Sequence, residues 1–420
     1  MNNAFLASYN CLDKIYTEKA FSTQELNKTL LFATTKDKAL VTKIVYGVLD
    51  CDIELDYIVS LHCQKVKPKL KLYLKMGAYI LKYLSMPVYA VVNDVVELVK
   101  VTGKRQLVGF VNATLKAIAK TIECGVEYPK DQLEYLSVKY SYPMWALKKL
   151  IKDYGMDVAK EIVSFALPKV NNYRVNTNLI SVEKFVELLN NDGANYQQGR
   201  FHDCFAISGK PNIDTKYYTV QSASSMYVCH AVDTKGKCSV LDCCSAPGGK
   251  AVYIKTLNKD AHVVACDLYQ HRVKLINEYA NRMGVEIEAQ VMDSTKTNAD
   301  YVNAFDYVLC DVPCSGFGVL DNHPDIKLFR QNADLHQLIA TQRAILQNCS
   351  QYVKSGGVLV YSTCSVFANE NVDNVKKFLA TNPDFQLERL PIDKENDGTY
   401  QFLPHKDQTQ GFFVARMVKK

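Results

Sequence analysis

No apolar run in this chain is long enough to cross a membrane, because its most apolar stretch, residues 72–92, is broken by Lys75 and Lys82. Residues 1–14 lack a basic segment followed by an apolar one, so no secretory leader is expected. None of the 14 cysteines forms a Cys-x-x-Cys pair. Without that spacing no metal site is expected, and thiols in a chain without a leader stay reduced in a cytoplasm. Gly-x-Gly-x-x-Gly is missing too, which disfavours a dinucleotide. Internal repeats and low-complexity tracts are also absent.

What is present is ordinary globular material. The 420 residues imply two or three domains, each large enough to bury a core. Hydrophobic residues make up 48% and charged residues 22%, which excludes a long disordered protein. The net charge of +6 is unevenly spread: residues 1–150 hold 21 Lys/Arg against 14 Asp/Glu, and the rest hold 29 against 30. A basic first third points to a polyanion, RNA or DNA first. A merely solvated basic face explains the charge equally well.

The periodicities divide the chain. In residues 1 to about 125, apolar side chains recur at three and four spacings, as in Leu40, Val41, Ile44, Val45 and Val48, then Leu70, Leu74, Ala78 and Leu81. This predicts a compact helical bundle. Residues 130–220 are mixed, with helices predicted at 143–154, 157–167 and 181–189 and a strand at 173–176. Ser181 is placed to cap the last of these helices. From about 238 onward, short β-branched runs at 239–242, 262–266, 287–292, 307–310 and 358–361 alternate with amphipathic helices. That alternation predicts a doubly wound sheet with ligands at the carboxyl ends of its strands.

The first of these strands runs into Cys244-Ser245-Ala246-Pro247-Gly248-Gly249-Lys250. Small residues there let the backbone approach a ligand, and a helix start offers free N–H groups to an anion. Asp242, Asp267, Asp293 and Asp311 close four successive strands. Four carboxylates along one rim each cost desolvation unless a ligand or donor answers them. Asp267 is placed to accept two ribose hydroxyls and Asp293 to reach an adenine amine. Two thiols, Cys314 and Cys364, follow the fourth and fifth strands. Either alone reads as a buried, inert thiol. Together beside a nucleoside pocket they point to covalent catalysis.

These segments resemble the RsmB/Sun/Fmu family of 16S ribosomal RNA cytosine methyltransferases, within the class that includes the nucleolar NOP-type enzymes. The N-terminal part is similar to the NusB-type RNA-binding helical domain through residues 37–47 and 110–116. The remainder carries residues 244–250, 311–316, 324–327, 362–365 and 411–413 of the family's motifs. The resemblance implies an α/β Rossmann-like class I methyltransferase domain at 221–420. Before it would stand an all-α NusB-like bundle at 1–126 and a small α+β connecting and RNA-binding module at 127–220. It also implies S-adenosyl-L-methionine held by residues 244–250 with Asp267, Asp293 and Asp311. Cys364 would be the nucleophile, Cys314 would assist product release, and Asp311 would bond ring nitrogen 3 of the base. The sequence departs from the family at Ser245 and Ala251, usually Ala and Thr, and at Ser222 and Gln410, usually Asp.

The chemistry agrees with that reading. Carbon 5 of cytosine is a poor nucleophile, and thiolate addition at carbon 6 turns the ring into an enamine that attacks a methyl sulfonium. The base must be unstacked first, which suits a loop or a flipped nucleotide. The expected partner is 16S ribosomal RNA, with neither DNA nor membrane, for a monomer in the cytoplasm. The same chemistry on transfer RNA, or a non-catalytic RNA-binding protein, remain the alternatives.

Overall fold

The computed structural model describes residues 3–168, 170–392 and 396–420. The chain divides into two compact units, Met1–Ser164 with Leu320–Asn332, and Phe165–Val319 with Ala333–Lys420.

The first unit is helical. Seven helices, Asn3–Glu18, Ser22–Phe32, Thr35–Asp50, Asp52–Ser60, Pro68–Tyr83, Val88–Val101 and Val108–Cys124, carry the periodic runs. Val41, Ile44, Val45, Val48, Leu74 and Ala78 are all fully buried, as their spacing requires. Each larger side chain among them contributes roughly 1.5–3 kcal/mol on burial. The two lysines that interrupt the apolar run, Lys75 buried and Lys82 half-buried, pair with carboxylates. Lys75 Nζ lies 2.6 Å from Asp52 and 2.7 Å from Asp56, and Lys82 Nζ lies 2.6 Å from Glu54. Removing one partner of such a pair leaves a stranded charge, which costs about 3–5 kcal/mol. Three further helices, Gln132–Lys139, Met144–Tyr154 and Met156–Ser164, complete this stretch. The first escaped the sequence reading, although Asp131 caps it by accepting from Leu133 N and Glu134 N.

Residues Leu320–Asn332 join this unit from far along the chain. Lys327 Nζ donates to the Asp50 carbonyl at 2.7 Å and to its carboxylate at 2.6 Å, and Ser22 Oγ donates to Asp325. Leu328 and Phe329 pack on the helical core. The motif at residues 324–327 therefore anchors this segment on the helical unit.

The second unit holds two sheets. Strands β1 (Asn171–Val175), β2 (Tyr196–Gln198), β3 (Cys204–Ile207) and β4 (Tyr218–Val220) form an antiparallel sheet in the order β2-β3-β1-β4. Helix Val182–Asn191 packs on it through Phe185 and Leu189, and Ser181 Oγ caps that helix by accepting from Lys184 N at 3.2 Å.

The larger sheet comprises β5 (Ser239–Asp242), β6 (His262–Asp267), β7 (Glu288–Val291), β8 (Phe305–Asp311), β9 (Val353–Thr363), β10 (Phe385–Leu387), β11 (Thr399–Phe402) and β12 (Phe412–Lys419). Its order is β10-β12-β9-β8-β5-β6-β7, with β11 paired to β12. Strands β5 to β9 are parallel, and β12 runs antiparallel to β9. The order reverses at β5, because β6 and β7 lie on one side and β8 on the other. Such a switch point opens a crevice at the carboxyl ends of the strands.

Candidate active site

Every candidate catalytic or cofactor residue predicted from sequence lies in the second unit, on the carboxyl rim of the larger sheet or in the loops leaving it. Asp242 ends β5, Asp267 ends β6 and Asp311 ends β8. Asp293 stands beyond the end of β7, in a turn of its own. It accepts from Thr295 N at 3.1 Å and Thr295 Oγ1 at 2.6 Å, and Lys296 Nζ is 3.1 Å away. Thr295 first and Lys296 second hold its carboxyl below the usual range.

The loop after β5 turns sharply into helix Gly249–Leu257. Gly248 has φ +105°, and a side chain there would meet the Ile276 backbone at 3.2 Å. Glycine alone adopts this turn without strain. Ser245 N donates to the Cys266 carbonyl at 2.8 Å, and Ala246 N donates to Asp267 Oδ2 at 3.2 Å, which fixes the loop over β6. Arg272 Nη1 stands 3.3 Å from the other Asp267 oxygen.

Two buried polar atoms around this loop, Asp242 Oδ2 and Ser245 Oγ, lack a hydrogen-bond partner, and Asp267 Oδ1 has the Arg272 charge 3.3 Å away but no hydrogen bond. Buried polar groups are otherwise almost always bonded, so these await a ligand rich in donors. A nucleoside carrying ribose hydroxyls and positive charge fits them. The helix start beside Gly249 offers N–H groups to a carboxylate. S-adenosyl-L-methionine has all three features.

Lys250 and Asp311 form the centre of the rim. Lys250 Nζ donates to Asp311 Oδ2 at 2.6 Å, and Ser362 Oγ donates to Asp311 Oδ1 at 2.7 Å. Burial works against the Lys250 charge, but Asp311 outweighs it and holds the ammonium above its usual range. The same charge lies 5.2 Å from the Phe412 ring centroid. Ser362 and Phe412 belong to the motifs at 362–365 and 411–413, but the sequence assigned neither a role of its own.

Cys314 and Cys364 meet. Their sulfurs are 2.6 Å apart, because β8 and β9 are adjacent and parallel with Asp311 opposite Ser362. The contact with Cys364, then burial, raises the Cys314 thiol well above its ordinary value. Gly318 N donates to the Cys364 carbonyl at 3.0 Å and Gly411 N donates to Gly318 O at 2.8 Å. A side chain at Gly318 would stand 1.9 Å from Gly411 O and 2.8 Å from Cys364 O, so only glycine permits this approach.

A second thiol group was invisible to spacing. Cys243, Cys310 and Cys349 gather behind the β5 loop, wholly buried in the sheet core.

The comparisons with known proteins agree with this geometry. Residues 230–418 match the family model described as 16S rRNA methyltransferase RsmB/F, and residues 4–120 match that of the NusB family. The chain is 33% identical to the probable ribosomal RNA small subunit methyltransferase B of Bacillus subtilis, over 97% of each chain. This chain belongs to the RsmB/F methyltransferase family. It is also 30% identical to ribosomal RNA small subunit methyltransferase B of Serratia proteamaculans, over 94% of this chain and 92% of that one. The crystal structure of PH0851 shares the fold with a TM-score of 0.82 at 24% identity, over 99% of this chain and 98% of that one. As a methyltransferase of this family the chain uses S-adenosyl-L-methionine.

Two expected outcomes test the candidate roles of Asp267 and Asp242. A carboxylate accepting two ribose hydroxyls contributes on the order of 1.5–3 kcal/mol per bond, so Asp267→Ala should weaken donor binding about tenfold or more. Unchanged affinity in a calorimetric titration would remove Asp267 from this role.

The second concerns pH. Burial, reinforced by Asp311, pushes Asp242 up to about 7. An unfolded Asp titrates near ~3.9, so the folded chain holds this proton more tightly. The stability it contributes is fully present below about pH 4 and is lost as pH rises through about 7. Without donor, Asp242→Asn should melt above the wild type at pH 8 and alongside it near pH 4. A constant difference across that range would exclude Asp242 as the source.

Proposed function

We propose that this chain methylates carbon 5 of a cytosine in 16S ribosomal RNA through a covalent adduct to Cys364. The observation that carries this reading is the meeting of the Cys314 and Cys364 sulfurs, 2.6 Å apart, beside the Lys250–Asp311 pair. The names of the relatives and the basic first third of the chain support ribosomal RNA as the substrate.

Cys364, as thiolate, bonds to carbon 6 of the flipped base. Negative charge then develops on the ring at nitrogen 3. Both Asp311 oxygens already accept hydrogen bonds, so in this pair the donor is Lys250, and Asp311 aims it. The bound S-adenosyl-L-methionine supplies an electrophilic methyl group, which carbon 5 takes.

Cys314 keeps its proton during addition, because the Cys364 contact raises it most. Once the Cys364 sulfur is bonded to carbon, that cause disappears. Cys314 then loses its proton to water and takes the proton from carbon 5. The Cys364–carbon 6 bond breaks, and its electron pair returns to sulfur. The cycle ends with Cys314 as thiol, Cys364 as thiolate and one proton released.

The helical bundle at 1–126 and the module at 127–220 are proposed to hold the RNA, in a monomer acting in the cytoplasm. A cleft of about 530 Å³ between the four-stranded sheet and residues 402–409 is lined by Asn172, Asn195, Gln197, Gln198 and Arg200 on one side and Asp407 and Gln408 on the other, side chains able to hydrogen-bond base edges. Bisulfite sequencing of RNA from a strain with the gene deleted and then restored tests the whole reading. One cytosine of 16S RNA should lose and regain its methyl group. A site lost from transfer RNA instead would move the substrate, and no lost site would overturn the proposal.

A further inference from the structure

Glu370 lies in the loop between β9 and helix Val372–Thr381, outside every motif considered so far. It is completely buried. Its carboxylate accepts four hydrogen bonds. Oε1 takes Ser315 N at 2.8 Å and Gln342 Nε2 at 2.9 Å, while Oε2 takes Ser315 Oγ at 2.5 Å and Ser365 Oγ. Ser315 directly follows Cys314, and Ser365 directly follows Cys364. Their hydroxyl oxygens are 3.1 Å apart.

One buried carboxylate thus grips both thiol loops at the residue next to each sulfur. The grip is itself anchored. Tyr361 OH donates to the Glu370 carbonyl at 2.6 Å, and Gln342 Nε2 also holds the Pro313 carbonyl at 2.9 Å. The neighbouring Asn371 donates through Nδ2 to the Ser365 carbonyl at 2.9 Å.

We propose that Glu370 is a positioning residue that holds Cys314 and Cys364 in register on one base. This rests on the thiol-adduct chemistry proposed above. The two sulfurs act on adjacent ring carbons in turn, so their separation must hold throughout the cycle. Misplacing a reacting group by about 1 Å costs on the order of 10²-fold in rate. Glu370 has a second, electrostatic effect. Its charge is among the causes that raise the Cys314 thiol, after Cys364 and burial. A charged clamp therefore also helps keep Cys314 uncharged beside the attacking Cys364 thiolate.

Two substitutions separate the clamp from the charge. Glu370→Ala removes both. Glu370→Gln keeps the shape: its carbonyl can accept from Ser315 N and Gln342, and its amide can donate to the rotatable serine hydroxyls. For Glu370→Ala, kcat should fall about 10²-fold with donor affinity unchanged. Glu370→Gln should recover most of kcat, with the alkaline fall in rate moved to lower pH. Cys364→Ala is measured alongside. If it stays active, the thiol-adduct reading itself fails. If it is dead while Glu370→Ala turns over at the wild-type rate, only the role of Glu370 fails. Should Glu370→Ala not fold, Glu370→Gln decides alone: an unmoved pH profile at full kcat overturns the proposal.

Discussion

Cys314→Ala enzyme, mixed with its RNA and S-adenosyl-L-methionine, should run on a denaturing gel as a slow-migrating protein–RNA species. Cys364→Ala should give no such species and lose activity by on the order of 10⁴-fold or more, as nucleophile deletions do. The physical reason lies in the order of steps. Without Cys314 the addition at carbon 6 and the methyl transfer still run, because Cys364 and the Lys250–Asp311 pair are intact. The carbon 5 proton then has no base to take it, and the Cys364–carbon bond persists. The double variant should give no adduct, since nothing remains to bond. The structure makes the experiment sharp, because the two sulfurs touch and the substitutions probe a single point on the rim. No adduct for Cys314→Ala together with wild-type turnover would return that thiol to a packing role.

The fold was legible where burial follows a period. Val41, Ile44, Val45 and Val48 repeat on a helical face, and all are buried. Strand ends were legible because an Asp after an apolar run has few places to go except a rim, and Asp242, Asp267 and Asp311 stand there. What escaped was whatever depends on contacts between distant segments. Strand β12 ends the chain beside β9, yet only its first residues, Phe412 and Phe413, drew notice, as a motif. Strand β9 begins at Val353 rather than 358, because the ladder steps from Phe305–Val353 to Tyr307–Val358 through an irregularity at residues 354–357 that hides the pattern. Glu370 sits between two asparagines in a polar loop, where sequence predicts solvent. Its burial follows only once both thiol loops close around it. The residues at 324–327 lie within the matched methyltransferase family model, but their contacts with Asp50 and Ser22, some three hundred positions away, leave no local signal.

Lys250 and Asp311 carry the second large effect. Lys250→Met removes the only charge in the pair able to donate a proton, and kcat should fall about 10²–10³-fold, the usual cost of deleting a donor aimed at developing charge. Asp311→Asn leaves the ammonium buried without its carboxylate and also weakens the Ser362 bond. Its effect on kcat should be of the same order. The double variant decides between two readings. If Asp311 acts by aiming Lys250, removing both costs no more than removing the worse one, because the members of a unit are not additive. If each meets the base separately, the losses multiply to about 10⁴–10⁶-fold. Single-turnover rates with saturating donor measure this directly, since they exclude effects on cofactor binding. A double variant that multiplies the losses would detach Asp311 from Lys250 and give it a contact of its own with the base. Wild-type rates in both single variants would remove the pair from the chemistry altogether.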